Sequence, residues 1–482
     1  MRRFLKSLSN LRQARCVFYY KHENYLQIAR SAQRSVGHAN AEANAPIRRS
    51  AIDRLALRSI YSWRATPQAQ HALSARRNAL TRNMGVNANV VPRTVISPHH
   101  QVSFDNKKVY IPWDEGITSS YHNIWLRDSC QCASCFHPIT KQRLVDTFTI
   151  PTSIHPESVE ALDTALKITW ENDGHESFYP WDWLHLHSYQ PVLEKHLSFR
   201  RVLWSRDDVQ DNPPVVEFSS VMSSDAGVAE WTSKIKLYGF CFVDDVPANP
   251  DDTEKLINRI SFPRQTHYGG FWDFTADLAA NDTAYTDLAL GLHTDGTYFT
   301  EPPGLQVLHL LHHNGSGGES VLADGFKAAR ILREEAPEHY KTLSRIRIPA
   351  HSAGNEDVCI RPASTSPILK HDEATGELIQ VRWNNDDRST MDRWEGGDPD
   401  VDVIRFYEAI RKWHEIVTRK ETEYWFKLRP GRALIFDNWR VMHGRSAFDG
   451  ERRLCGAYIN MDDFESRMRL TNLGREAVLK YI

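Results

Sequence analysis

ALGLHTDGTYF, residues 289–299, is the stretch on which the reading of the fold turns. In a strand, positions i and i+2 face the same side, so His293 and Asp295 present an imidazole and a carboxylate to one point. An HxD pair alone is common by chance and more often a surface or core pair than a ligand set. It gains meaning from ALIFDNWRVMHGR, residues 433–445, which reads as a buried strand, a polar turn and then His443. Two histidines and one carboxylate that leave one face of the metal open suit non-haem Fe(II).

Shortly beyond His443 comes Arg452, in ERRLCGAYI (451–459), whose guanidinium suits bidentate pairing with a carboxylate. Between the two ligand segments, GSGGESVLADG (315–325) supplies a flexible loop and Ser320, a hydroxyl donor opening a strand. A chelating 2-oxo acid needs free metal positions and a cation for its remote carboxylate, and the chain offers both in a workable order. Two readings of other classes stand beside this one. A zinc-dependent hydrolase would use the same ligands, but it leaves Arg452 and the Gly-rich loop without a task, and no glutamate base accompanies the ligands. A non-enzymatic zinc-binding protein would explain Cys130, Cys132 and Cys135 but not the distant triad.

The series HTD, GGES, HGR and RRL resembles the taurine-dioxygenase-like branch of the 2-oxoglutarate oxygenases. Longer stretches narrow this: NDTAYTDLALGLHTDGTYFTEPPGLQVLHLL (281–311), VRWNNDDR (381–388) and KLRPGRALIFDNWRVMHGR (427–445) resemble the γ-butyrobetaine and trimethyllysine hydroxylase family, and its trimethyllysine-acting members more nearly. The resemblance runs from about residue 100 to the C-terminus. It implies a mainly β chain with flanking helices (α+β), built on a double-stranded β-helix (jelly-roll) catalytic core. It also implies His293, Asp295 and His443 as iron ligands and Arg452 on the C5 carboxylate of 2-oxoglutarate. Ser320 stands where the family usually has Thr. The implied reaction is hydroxylation of trimethyllysine at C3 with O2 and 2-oxoglutarate, giving succinate and CO2, the first step of carnitine biosynthesis. Ascorbate is the implied helper and a homodimer the implied assembly; γ-butyrobetaine hydroxylation is the alternative.

A quaternary ammonium cannot donate a hydrogen bond, so aromatic faces must recognise it, each contributing on the order of 0.5–2 kcal/mol. Tyr268 and Trp272, in HYGGFWDF (267–274), and Tyr285 match the family's cage segments, with Tyr298 a further candidate. Without that match each would read as an ordinary core aromatic. Asp282 suits the α-ammonium of trimethyllysine, and Asn384 or Asn385 its carboxylate.

WLRDSCQCASC (125–135) sets Cys130, Cys132 and Cys135 in a CxCxxC arrangement, and three such thiols fill three corners of a tetrahedral zinc site. The family's zinc-binding members supply a histidine at the position of His175, so the resemblance implies structural Zn(II) on these four residues. His99, His100, His185 and His187 have no carboxylate or thiol companion at ligand spacing, His309 lies in an apolar strand, and His312 and His313 precede the Gly-rich loop; all read as surface or core.

With 482 residues the chain has room for two or three domains. Its 59 basic and 61 acidic residues leave no electrostatic footprint for nucleic acid or an anionic membrane. No apolar run approaches the roughly 20 residues of a membrane span. The first 93 residues are rich in Arg and poor in acids; Phe4, Leu5, Leu8 and Leu11 fall at helical spacing among Arg2, Arg3, Lys6, Arg12 and Arg15. That describes a mitochondrial transit peptide followed by a disordered basic segment, and hence the matrix. Residues 94–195 read as a small β-rich zinc-binding domain and 196–482 as the oxygenase domain. Alternation predicts strands over 102–113, 165–170, 305–311, 320–323, 379–383, 433–436 and 454–459, with an extended segment at 121–126. Helices are expected after Asp251 and Asp252, after Asp324, and over 400–420, where Val403, Phe406, Ile410, Trp413 and Val417 form one apolar stripe.

Overall fold

The computed structural model describes residues 102–481 apart from 114–115, 194–200, 276–285 and 395–397. The transit-peptide reading, His99, His100, Asp282 and Tyr285 lie outside the described residues.

Strand alternation builds two sheets that share an inner face. The larger runs in the order Val215–Glu217, Phe240–Asp244, Arg432–Asp437, Leu305–His313, Arg452–Ile459 and Phe271–Thr275. Its first pair is parallel and the rest antiparallel. The smaller runs Leu290–His293, Val441–Arg445, Ser320–Asp324 and Tyr424–Phe426, all antiparallel. Phe240, Phe242, Leu434, Phe436 and Leu454 of the larger sheet meet Leu322, Tyr424 and Val441 of the smaller in one buried cluster. The alternate residues point outward. Cys241, Val243, Val307, Ile435 and Ala457 pack against Trp231 and Ile235 of the helix Asp225–Tyr238 and Phe464 of Met461–Leu473. On the other side Val321, Ala323 and Met442 are covered by Gly325–Glu335, Pro337–Arg345 and Pro399–Val417. The long helix turns Phe406, Ile410, Trp413 and Val417 inward, as its apolar stripe requires. Two sheets in a jelly roll, with helices on both outer faces, agree with the sequence reading.

The N-terminal part of the described chain holds two three-stranded sheets, Ser103–Phe104, Lys108–Pro112 and Thr118–His122, then Pro156–Ala161, Ala165–Trp170 and Glu176–Pro180. Val109, Ile111 and Tyr121 of the first share a core with Leu166, Ile168, Trp170 and Tyr179 of the second. Among the described residues, no helix is long and apolar enough to cross a membrane.

Several elements differ from expectation for local reasons. Residues 102–113 form two strands rather than one, because Asp105 Oδ1 accepts hydrogen bonds from the backbone N–H of Lys107 (2.7 Å) and Lys108 (2.8 Å) and turns the chain. The extended segment at 121–126 stops at His122, and Asn123–Asp128 is helical. The helix Pro250–Ile257 is capped by Asn249, whose side chain accepts from Asp252 N; Asp251 and Asp252 already lie in its first turn. The strand expected over 379–383 is Leu378–Val381.

Candidate metal centre and active site

Register brings the two histidines together. Leu290–His293 pairs with Val441–Arg445 so that His293 lies directly opposite His443, with ring centroids 4.3 Å apart. Asp295 is not in the strand, which ends at His293; it sits in the bend that follows. Asn438 holds that bend. Its Oδ1 accepts from Asp295 N at 2.7 Å, and its Nδ2 donates to the carbonyls of Asp295 and Pro303, each at 3.0 Å. Gly296, at φ +68°, completes the turn; a Cβ there would lie 2.6 Å from Pro303 Cδ.

The result is a three-donor cluster whose ligand atoms all lie within 4.8 Å of one another. Asp295 Oδ1 stands 3.1 Å from His293 Nε2 and 3.6 Å from His443 Nε2. Ligands about 2.1 Å from a metal and at right angles to each other sit about 3 Å apart, so these spacings suit one ion. The outer contacts aim the donors. His293 Nδ1 donates to the Gly291 carbonyl at 2.8 Å, which leaves Nε2 as the lone-pair atom. Tyr458 donates its hydroxyl to Asp295 Oδ2 at 2.6 Å, which leaves Oδ1 toward the imidazoles. His443 Nδ1 is buried with no hydrogen-bond partner among the described residues. Burial disfavours a charged His293, but the Asp295 carboxylate overrides it and raises the imidazole to about 9. Burial and the facing His293 push His443 down to about 3. Burial works against ionised Asp295 as well, yet the two imidazoles and Tyr458 hold it well below the usual carboxylate range. The cluster thus favours an ionised carboxylate beside one neutral imidazole, and a divalent cation can replace the proton on the other.

The triad opens on a cavity of about 730 Å³. Arg452 and Ser320 line it, each at the first position of its strand. Arg452 is buried and makes no ion pair or hydrogen bond to a described residue; it has only the Phe448 ring, 5.4 Å away. Burial and neighbouring Arg445 lower its pKa to about 10. Ser320 is cross-strand to Arg445, and its hydroxyl likewise has no partner among the described residues. Among the described residues, the cavity therefore contains a buried cation without a counter-charge and a hydroxyl without a partner.

Of the proposed cage, Tyr268, Trp272 and Tyr298 line the cavity. The hydroxyls of Tyr268 and Tyr298 meet at 3.1 Å, and Trp272 packs edge-on against Tyr458 at 5.0 Å. Asn384 and Asn385 also line it, though each carbonyl oxygen serves its own turn, accepting from Asp386 N (3.0 Å) and Arg388 Nη2 (3.4 Å). Tyr458, Asn438, Arg445 and Gln306 escaped the sequence reading. Each sits in or beside an apolar strand, where nothing local marks it.

In the N-terminal part, His175 Nε2 lies 3.3, 3.6 and 3.6 Å from the sulfurs of Cys130, Cys132 and Cys135. Tetrahedral zinc with S and N ligands at its usual bond lengths separates those atoms by about 3.6 Å. His309, by contrast, is a core histidine: Nδ1 meets Thr253 Oγ1 at 2.8 Å and Nε2 accepts from Gly431 N at 3.3 Å.

The profile described as "Taurine catabolism dioxygenase TauD, TfdA family" matches residues 207–458, and "Gamma-butyrobetaine hydroxylase-like, N-terminal" matches 100–185. The chain belongs to the TauD, TfdA dioxygenase family. It is an Fe(II)- and 2-oxoglutarate-dependent dioxygenase, as its motifs implied. Within the family, it is 48% identical over 394 residues to a protein of Meyerozyma guilliermondii named trimethyllysine dioxygenase, covering 79% of this chain and 98% of that protein. A human protein named trimethyllysine dioxygenase, mitochondrial, is 40% identical over 73% of this chain and 82% of its own length. A γ-butyrobetaine dioxygenase of a Pseudomonas species is 30% identical over 78% of this chain and 96% of its own length.

Proposed function

We propose that this TauD-family dioxygenase acts on trimethyllysine, hydroxylating C3 as the first step of carnitine synthesis. The observation that carries the cosubstrate assignment is a buried Arg452, without a counter-charge among the described residues, in the same cavity as the His293–Asp295–His443 cluster. An anion must fill that place for the guanidinium to be worth burying, and the far carboxylate of 2-oxoglutarate fits it. With iron bound, O2 would be the oxidant for C–H hydroxylation, one oxygen atom entering the substrate as hydroxyl and the other entering the succinate formed, with CO2, from 2-oxoglutarate. The rest falls to the chain. His293, Asp295 and His443 hold the metal by one face. Arg452 and Ser320 orient the oxo acid. Tyr268, Trp272 and Tyr298 offer π-faces to a trimethylated cation and keep water from it. Tyr285 and Asp282 belong to the same proposal, for the cage and the α-ammonium, with Asn384 or Asn385 on the carboxylate. Placement decides which C–H reacts.

Trimethyllysine is favoured over γ-butyrobetaine by the 38–48% identity to proteins named for the former, against 30% to one named for the latter. The proposal extends to structural zinc on Cys130, Cys132, Cys135 and His175, to ascorbate as the reductant that keeps iron ferrous, and to the mitochondrial matrix. A homodimer, implied by the family resemblance, is included. Succinate formation with Fe(II), ascorbate and either trimethylated amine tests the reading. Trimethyllysine should stimulate turnover, and His293→Ala should abolish it while the purified variant keeps one zinc per chain. Turnover stimulated by neither amine, or supported by zinc alone, would refute it.

A further inference from the structure

Gln306 carries a polar side chain that the fold itself does not use. It lies in the strand Leu305–His313, cross-strand to Phe436 on one side and Tyr458 on the other. The residue is 6% exposed, and its Oε1 is buried with no hydrogen-bond partner among the described residues. It lines the cavity, as does Leu308, the next residue on the same face. A leucine would pack there without penalty, whereas an unpaired buried amide is costly.

Both neighbours of Gln306 touch the proposed metal donors. Tyr458 hydrogen-bonds Asp295 Oδ2, and the Phe436 ring lies 4.7 Å from that of His443. The carboxamide therefore stands at the metal end of the cavity. Sheet order also sets the strand Arg452–Ile459 between it and Trp272. Trp272 is on the strand Phe271–Thr275, which flanks Arg452–Ile459 on the side opposite Leu305–His313. An amide turns by half a rotation to offer either its NH2 or its oxygen, and an anion selects the NH2.

We infer that Gln306 is a cosubstrate-binding residue whose carboxamide hydrogen-bonds the metal-proximal end of 2-oxoglutarate, opposite the carboxylate held by Arg452. This rests on the 2-oxoglutarate reading above and adds a second anchor to it. One anchor fixes the far end of the oxo acid; two fix its orientation before oxygen arrives.

The test is calorimetric titration of the Mn(II)-loaded chain with 2-oxoglutarate, alongside the thermal midpoint of the ligand-free chain. Gln306→Leu should weaken 2-oxoglutarate binding by about ten- to hundredfold, the range for a hydrogen bond to a charged group. Its ligand-free midpoint should hold or rise, since the unpaired amide is gone. Gln306→Glu should weaken binding further, because it sets a carboxylate against an anion. An unchanged dissociation constant in Gln306→Leu, with wild type binding normally, overturns this inference alone. So does a lowered ligand-free midpoint without weaker binding, which would make the amide a support of the fold. A wild-type chain that binds no 2-oxoglutarate overturns the cosubstrate reading together with it.

Discussion

Tyr458, hydrogen-bonded to Asp295, shows how much of the metal centre depends on residues that are not themselves metal donors. The phenol is held well above its ordinary pKa by burial and by the carboxylate beside it, so it remains a donor to Oδ2 throughout the working range. Tyr458→Phe frees Oδ2 to swing toward the ion or away from Oδ1's present position. Losing an outer contact of this kind typically costs 10–100-fold in metal affinity, on the order of 1.4–2.8 kcal/mol. Titration of the variant with Mn(II) should show that loss at an unchanged melting temperature; equal affinity would mean the backbone alone fixes Asp295. His309 makes a separate prediction. Its Nδ1 donates to Thr253 Oγ1 and its Nε2 accepts from Gly431 N, a contact that requires the neutral ring, and burial depresses its pKa to about 4. The unfolded value is near 6.5, so the neutral ring stabilises the fold above that pH, and the contribution is lost as pH falls toward 4. Urea unfolding should show stability declining across that window, and His309→Gln should flatten the decline.

One element ties the smaller sheet to its helices through a single carboxylate. The strand Ser320–Asp324 ends in Asp324, which caps the helix Gly325–Glu335 by accepting from Phe326 N at 3.0 Å. The same carboxylate pairs with fully buried Arg440 (2.8 Å) and accepts from Trp204 N (3.1 Å). Asp324→Ala would strand that guanidinium, and breaking a buried pair costs about 3–5 kcal/mol. Equilibrium unfolding in urea should report a loss of that size; a loss below 1 kcal/mol would mean that water compensates Arg440. The cap itself was legible, since Asp before a helical run is a local signal, and so was the 400–420 helix from its stripe. Arg440 was not, because its partner lies over a hundred positions away. The iron candidates were legible for a third reason: His293 and Asp295 lie two positions apart in sequence, and His443 follows a recognisable strand. What stayed hidden was the bend that carries Asp295 out of its strand, held by Asn438 across 143 positions. Gln306 stayed hidden too, as one polar letter in LQVLHLL. Pairing register makes these residues meaningful, and register is a property of two strands together.

Across the whole oxygenase fold, the cavity draws on both sheets. His293, Ser320 and His443 come from the smaller; Trp272, Gln306, Arg452 and Tyr458 come from the larger. A metal with its oxo acid would therefore cross-link two layers joined elsewhere mainly by apolar packing. It should stabilise the fold as a unit and not one strand locally. A ligand that binds only the native state adds about 2.7 kcal/mol at a hundred times its dissociation constant. For a domain of this size, that is a rise of several degrees in the melting temperature. Arg452→Met separates the contributions. Replacing an uncompensated buried cation by an apolar side chain should leave the ligand-free chain at least as stable, because the cost of desolvating the guanidinium disappears. The metal-induced rise should survive in that variant and the further rise from 2-oxoglutarate should vanish. Differential scanning calorimetry on both proteins, with Mn(II) alone and with Mn(II) plus 2-oxoglutarate, distinguishes this from a structural role. If Arg452→Met melts several degrees lower without ligand, the guanidinium serves the fold, and its missing counter-charge no longer points to an anionic cosubstrate.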